Sequence, residues 1–142
     1  MEPEDFRRCH VLLVEDDRTH REFVSRILEK IGCDVTIAYD GKDALFMVRE
    51  QPFDLILMDL EMPKMNGLEA ARQIRDMQRH RETEPAPIIA ISSDPEPDIR
   101  KECTEAGMVD FIPKSIWRPE WEPSIRAKLG PWIRPELGNI LN

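Results

Sequence analysis

Short runs of consecutive apolar residues alternate along this chain with stretches in which apolar residues recur every three or four positions. Val11, Leu12, Leu13 and Val14 form the first run and stop at Glu15, Asp16 and Asp17, after which Phe23, Val24, Ile27, Leu28 and Ile31 fall at helical spacing. The pattern predicts a strand, an acidic loop and a helix. Gly32 closes that helix, residues 35–38 make a short second strand, and Ala44, Leu45 and Val48 mark a second helix that stops before Pro52. Residues 53–58 are a nearly unbroken apolar strand, followed by a loop over 59–67 and a helix carrying Leu68, Ala71, Ile74 and Met77. A fourth strand at 87–91, a fourth helix at 99–106, a fifth strand at 111–112 and a fifth helix over roughly 119–129 complete the series.

Strands whose apolar residues are continuous rather than alternating are covered on both faces, and helices between them imply right-handed parallel crossovers. The expected fold is therefore α/β: a flavodoxin-like, doubly wound (βα)5 sandwich around a five-stranded parallel sheet. In such sheets the functional crevice lies beyond the carboxyl ends of the strands, where the strand order reverses. Glu15, Asp16, Asp59, Ser92 and Lys114 all fall at predicted strand carboxyl ends. Trp117, Trp121, Ile125 and Leu129 recur every fourth residue, as the core face of the fifth helix would.

The chain has 142 residues, room for one domain of ordinary size and none for a second, so no DNA-binding output domain is expected within it. Residues 1–8 read as an N-terminal extension, 9–129 as the domain and 130–142 as a tail. With 41% hydrophobic and 34% charged residues, the composition is that of a soluble globular protein. A net charge of -8 disfavours direct contact with nucleic acid, which needs clustered Lys and Arg, and points to a protein or a small anionic partner helped by a cation. Cys9, Cys33 and Cys103 are widely spaced and odd in number, which signals neither disulfides nor a zinc site and makes them small core hydrophobes. His10, His20 and His80 lack metal-ligand spacing and read as surface or partly packed residues. No apolar run approaches the length of a membrane span and the N-terminus is charged, so a cytoplasmic location is expected.

Three carboxylates, Glu15, Asp16 and Asp59, converging at one sheet edge repel one another unless a hard divalent cation joins them. Mg2+ suits such a site, because it keeps several waters and commonly bridges carboxylates to a phosphoryl group. Lys114 would then offer a positive charge to a phosphoryl oxygen and Ser92 a hydroxyl donor. Acidic runs after strands are also common helix caps, and Asp17 is suited to that role. Each residue alone is ordinary surface chemistry; it is their convergence that points to a phosphoryl site.

The phrases VLLVEDD, LILMDLEMPKMNG, PIIAISS and GMVDFIPK, in that order, resemble the response-regulator receiver family of two-component signalling over about residues 11–129. The resemblance implies that Asp59 accepts a phosphoryl group from a sensor histidine kinase or a phosphotransfer protein. It further implies that Glu15 and Asp16 are the acidic pair around Mg2+, with the Glu61 backbone carbonyl as a further ligand. Ser92 corresponds to the hydroxyl residue that turns toward the phosphoryl group, Lys114 to the lysine and Phe111 to the aromatic switch. Two departures are present. Ser115 follows the lysine where the family usually has Pro, so the Lys114–Ser115 bond is expected to be trans, and Ser92 stands where Thr is commoner.

Within this resemblance the chain is a phosphoacceptor switch rather than a metabolic enzyme: it catalyses its own phosphoryl transfer and slow dephosphorylation and passes a changed surface to a downstream protein effector. Glu61 and Asp94 flank the expected path of the water that attacks the phosphoryl group. An aspartate-nucleophile phosphohydrolase is disfavoured because its Asp-x-Asp motif would follow the first strand, and a flavodoxin-like electron carrier because the first loop is acidic. Ile133, Leu137, Ile140 and Leu141 form a second apolar stripe in the tail, for which a homodimer contact is the leading intermolecular use.

Overall fold

The structure is a computed structural model that describes residues 9–62, 65–80, 85–93 and 97–132. Five strands, β1 (Cys9–Val14), β2 (Cys33–Ala38), β3 (Leu55–Asp59), β4 (Ile88–Ser92) and β5 (Asp110–Pro113), alternate with helices α1 (Arg18–Lys30), α2 (Gly41–Glu50), α3 (Gly67–Gln78), α4 (Pro97–Glu105) and α5 (Glu122–Leu129). All strand pairs are parallel and their order is β2-β1-β3-β4-β5. The doubly wound α/β sandwich expected from the apolar runs is present.

The register explains why those runs are unbroken. Leu12, Val14, Ile56, Met58, Ile88, Ala90 and Phe111 enter one core with residues of α2, α3 and α4. Their immediate neighbours Val11, Leu13, Leu55, Leu57, Ile89, Ile91 and Ile112 enter the other, with Val24, Ile27 and Leu28 of α1 and Ile125 and Leu129 of α5. Successive strand residues point to opposite faces, so a sheet covered on both sides needs apolar residues at every position. Cys9, Cys33 and Cys103 are buried and outside any disulfide, as their spacing suggests.

Helix starts follow side-chain caps. The Asp17 carboxylate accepts from the N–H groups of Thr19 and His20, Asp40 caps α2 through Asp43 N–H, and Asn66 caps α3 through Glu69 N–H. Gly32, at φ 103°, carries the chain from α1 into β2. Gly67 opens α3 so close to β3 that a Cβ there would lie 2.3 Å from the Asp59 carbonyl oxygen.

The fifth helix departs from the sequence pattern. The chain leaves β5 through 3-10 turns at Lys114–Ile116 and Pro119–Trp121, and α5 begins only at Glu122. The fourfold spacing from Trp117 therefore does not run along one helix: Trp117, Ile125 and Leu129 are buried, but Trp121 is 46% exposed. Phe23, counted with the buried stripe of α1, is likewise 48% exposed. Trp132, past the expected domain end at Leu129, packs against the second core. The tail stripe from Ile133 onward lies outside the described residues, as does Asp94.

Candidate functional site

The strand order reverses between β1 and β3, with β2 on one side of β1 and β3 to β5 on the other. Glu15 and Asp16 leave the end of β1 and Asp59 ends β3, so three carboxylates straddle the reversal point. One oxygen from each lies within 4.8 Å of the others. Glu15 and Asp59 are buried, whereas Asp16 is exposed.

Asp59 Oδ1 is held by Lys114 Nζ at 3.1 Å and accepts from the Glu61 N–H at 3.0 Å. Its other oxygen, Oδ2, is buried without a hydrogen-bond donor. Burial, and then the adjacent Glu15 carboxylate, push the Asp59 pKa upward despite Lys114. Burial also works against charge on Glu15, but contacts from His20, Asp59 and the Asp17 N–H outweigh it and hold Glu15 below the usual carboxylate range. Without a cation the two buried carboxylates disfavour charge on both at once, and the shift falls upward on Asp59. An unpartnered buried oxygen amid three carboxylates is the donor set of a hard divalent cation, and the residues fit Mg2+.

Glu61 closes the other side. Its Oε1 accepts from Ser92 Oγ at 2.8 Å, Ser93 N–H at 3.0 Å and Ser93 Oγ at 2.7 Å, while Oε2 lies 3.2 Å from Lys114 Nζ. Burial opposes its charge, but these donors draw its pKa down to about 2. Lys114 loses some charge stability to burial, yet Asp59, Glu15 and Glu61 raise its pKa overall. On the far side, Glu15 Oε1 meets His20 Nδ1, and Oε2 accepts from the Asp17 N–H at 3.3 Å. Arg21 Nη1 donates to the carbonyls of Glu15 and Asp16, each at 3.2 Å.

A sequence model described as the response regulator receiver domain matches residues 11–126. The chain belongs to the response-regulator receiver family. This receiver is 36% identical over 123 residues to the CAI-1 autoinducer sensor kinase/phosphatase CqsS of Vibrio cholerae, covering 87% of this chain and 17% of that protein. Among solved structures it resembles the receiver domain of the Arabidopsis thaliana histidine kinase CKI1 complexed with Mg2+, at 34% identity and TM-score 0.76, covering 89% of this chain and 96% of that one. It also resembles the receiver domain of Saccharomyces cerevisiae Ssk1, solved with the phosphotransfer protein Ypd1, at 25% identity and TM-score 0.79, with 93% of each chain covered. The receiver spans 7%, 17% and 16% of the length of three curated relatives it matches, so it corresponds to a small part of each. None of its described helices is long and apolar enough to cross a membrane.

Five residues singled out from sequence meet at the receiver's crevice: Asp59, Lys114 and Ser92 are linked through Glu61 and one another, and Glu15 and Asp16 bring carboxylate oxygens within 4.8 Å of Asp59. Phe111 stands apart from it, buried in the core beneath the guanidinium of Arg100 of α4, 5.2 Å from the ring centre. No cis peptide bond occurs among the described residues, so the Lys114–Ser115 bond is trans. Three side-chain contacts go beyond what the sequence predicts. Glu61 is expected as a backbone ligand and beside the water's path, but not as the side chain that ties Ser92, Ser93 and Lys114 to the β3 loop. Ser93 carries no expectation from the sequence, and His20 is expected there only as a surface or partly packed residue. Spacing within one element signals none of these contacts: those of Glu61 with Ser92, Ser93 and Lys114 depend on which strand ends are neighbours, and that of His20 with Glu15 on how the β1–α1 loop folds back on the first turn of α1.

Proposed function

We propose that this receiver accepts a phosphoryl group on Asp59 from the phosphohistidine of a sensor histidine kinase or phosphotransfer protein, in a Mg2+-dependent step, and changes a protein-interaction surface in response. The observation that carries the reading is the Asp59 carboxyl, buried at the β3 tip, with Oδ1 fixed by Lys114 and Glu61 N–H and Oδ2 free. Such a group is oriented but not consumed by its partners, as a nucleophile must be.

The cation would be held by Glu15, Asp16 and Asp59 with the Glu61 carbonyl, and when bound it supplies charge neutralisation for acceptor and phosphoryl oxygens. Asp59 attacks phosphorus, the P–N bond to the donor imidazole breaks, and the imidazole leaves. Lys114 faces the charge that develops on the phosphoryl oxygens. Ser92 must leave Glu61 to donate to the same group. Phe111, buried one strand away under Arg100, is the aromatic through which that movement would reach α4 and β5 and then an effector. Water hydrolyses the acyl phosphate with Glu61 beside its path; the chain turns over no separate metabolite. We take 9–129 as the receiver unit.

The test is incubation with acetyl phosphate and Mg2+ followed by intact-mass and peptide analysis. Wild type gains one phosphoryl group on Asp59, and Asp59→Asn gains none. Label on any other residue of the variant overturns the assignment.

A further inference from the structure

His20 has a role that neither the sequence nor the family match assigns. Resting on the reading that Glu15, Asp16 and Asp59 hold the cation, we propose that His20 is a positioning residue for that site: its imidazole, docked through Nδ1 on the Glu15 carboxylate, holds Glu15 in the cluster and so sets the affinity for the divalent cation.

Glu15 is a buried, flexible side chain just past the end of β1, and its two oxygens have separate anchors. Oε2 accepts from the Asp17 N–H, and Oε1 meets His20 Nδ1. A carboxylate can only accept, so Nδ1 carries the hydrogen in this contact. The main chain of His20 is fixed, since its backbone N–H donates to the capping Asp17 carboxylate at 3.2 Å, and its side chain is only 15% exposed. Its other nitrogen, Nε2, is buried without a partner, which leaves Glu15 as the ring's polar contact. The next residue, Arg21, grips the main chain of the same segment through the carbonyls of Glu15 and Asp16. Consecutive residues in the first turn of α1 thus hold both the backbone and the side chain of the acidic loop. Hydrogen bonds from outside the ligand set orient metal-binding groups, and removing them characteristically weakens affinity by about 10- to 100-fold.

The experiment measures Mg2+ affinity, not phosphorylation, by titration calorimetry on wild type, His20→Ala, His20→Asn and His20→Gln, with melting temperatures in EDTA as a check on folding. The Asn amide nitrogen sits on the γ carbon, as imidazole Nδ1 does, while that of Gln lies one atom farther out. The expected order is wild type and His20→Asn close together, His20→Gln weaker, and His20→Ala weaker than wild type by about tenfold or more. Loss of ring packing alone would weaken the Asn and Ala variants equally, and that result overturns the proposal. Wild-type affinity in His20→Ala overturns it too, while leaving the cation site in place. A wild-type protein that binds no Mg2+ removes the cation site and this inference together.

Discussion

Asp59 is out of balance with its surroundings when no cation is present. Its raised pKa means that the folded chain keeps a proton there which the unfolded chain has released once pH exceeds the ordinary carboxyl value of 3.8. Folding then takes up a proton, so this group's contribution to stability is complete below that value and falls as pH rises through the window above it. Asp59→Asn has no such dependence. In EDTA the variant is expected to be more stable than wild type by about 1 kcal/mol or more at pH 8, with the gain shrinking toward pH 4, in thermal or urea melts. An equal gain at both values would refute the protonation argument. Glu61 presents the opposite case, a charge held by Ser92, Ser93 and Lys114, two of which are proposed to serve the phosphoryl group. Releasing Ser92 and Lys114 from it should speed phosphorylation, so Glu61→Ala is expected to react with acetyl phosphate several-fold faster at unchanged final yield. A slower rate in stopped-flow fluorescence would mean that Glu61 assists the transfer instead.

At the scale of elements, interior parallel strands were the most legible because burial on both faces writes an apolar residue at every position, as in 11–14 and 55–58. The strand tips were legible for a related reason: a polar residue that ends such a run, as Asp59 and Ser92 do, marks the sheet edge. The fifth helix was not legible in this way. Pro119 and Pro123 allow a tight 3-10 turn to precede α5, and the turn rotates Trp121 out of the stripe that Trp117, Ile125 and Leu129 maintain. The two tryptophans should therefore differ sharply under mutation. Trp117→Ala removes one of the largest buried side chains and is expected to cost about 3 to 5 kcal/mol in urea unfolding. Trp121→Ala should stay within about 0.5 kcal/mol of wild type. Comparable losses would restore the single continuous helix that the spacing first suggested.

The fold brings like charges together at the carboxyl ends of β1 and β3, and binding there is expected to report on the entire fold. A ligand that binds only the native state raises stability by about 2.7 kcal/mol at a concentration one hundred times its Kd. Mg2+ should accordingly raise the Tm relative to EDTA, and Asp16→Ala should remove most of that rise; a full rise in the variant would place the ion elsewhere. What the sequence could not convey at this scale is which strand ends become neighbours, and hence that the Glu61 side chain reaches Ser92, Ser93 and Lys114. One contact also limits how the fold can diversify. Because main chain meets main chain where Gly67 abuts the Asp59 carbonyl, no side chain can be introduced there without moving the residue on which function is proposed to rest. A saturation library across 65–70, sorted for folded protein, should tolerate exchange at the half-exposed Leu68 and exposed Glu69 yet return glycine alone at 67, a fixed point beside which the outward positions of α3 are free to drift.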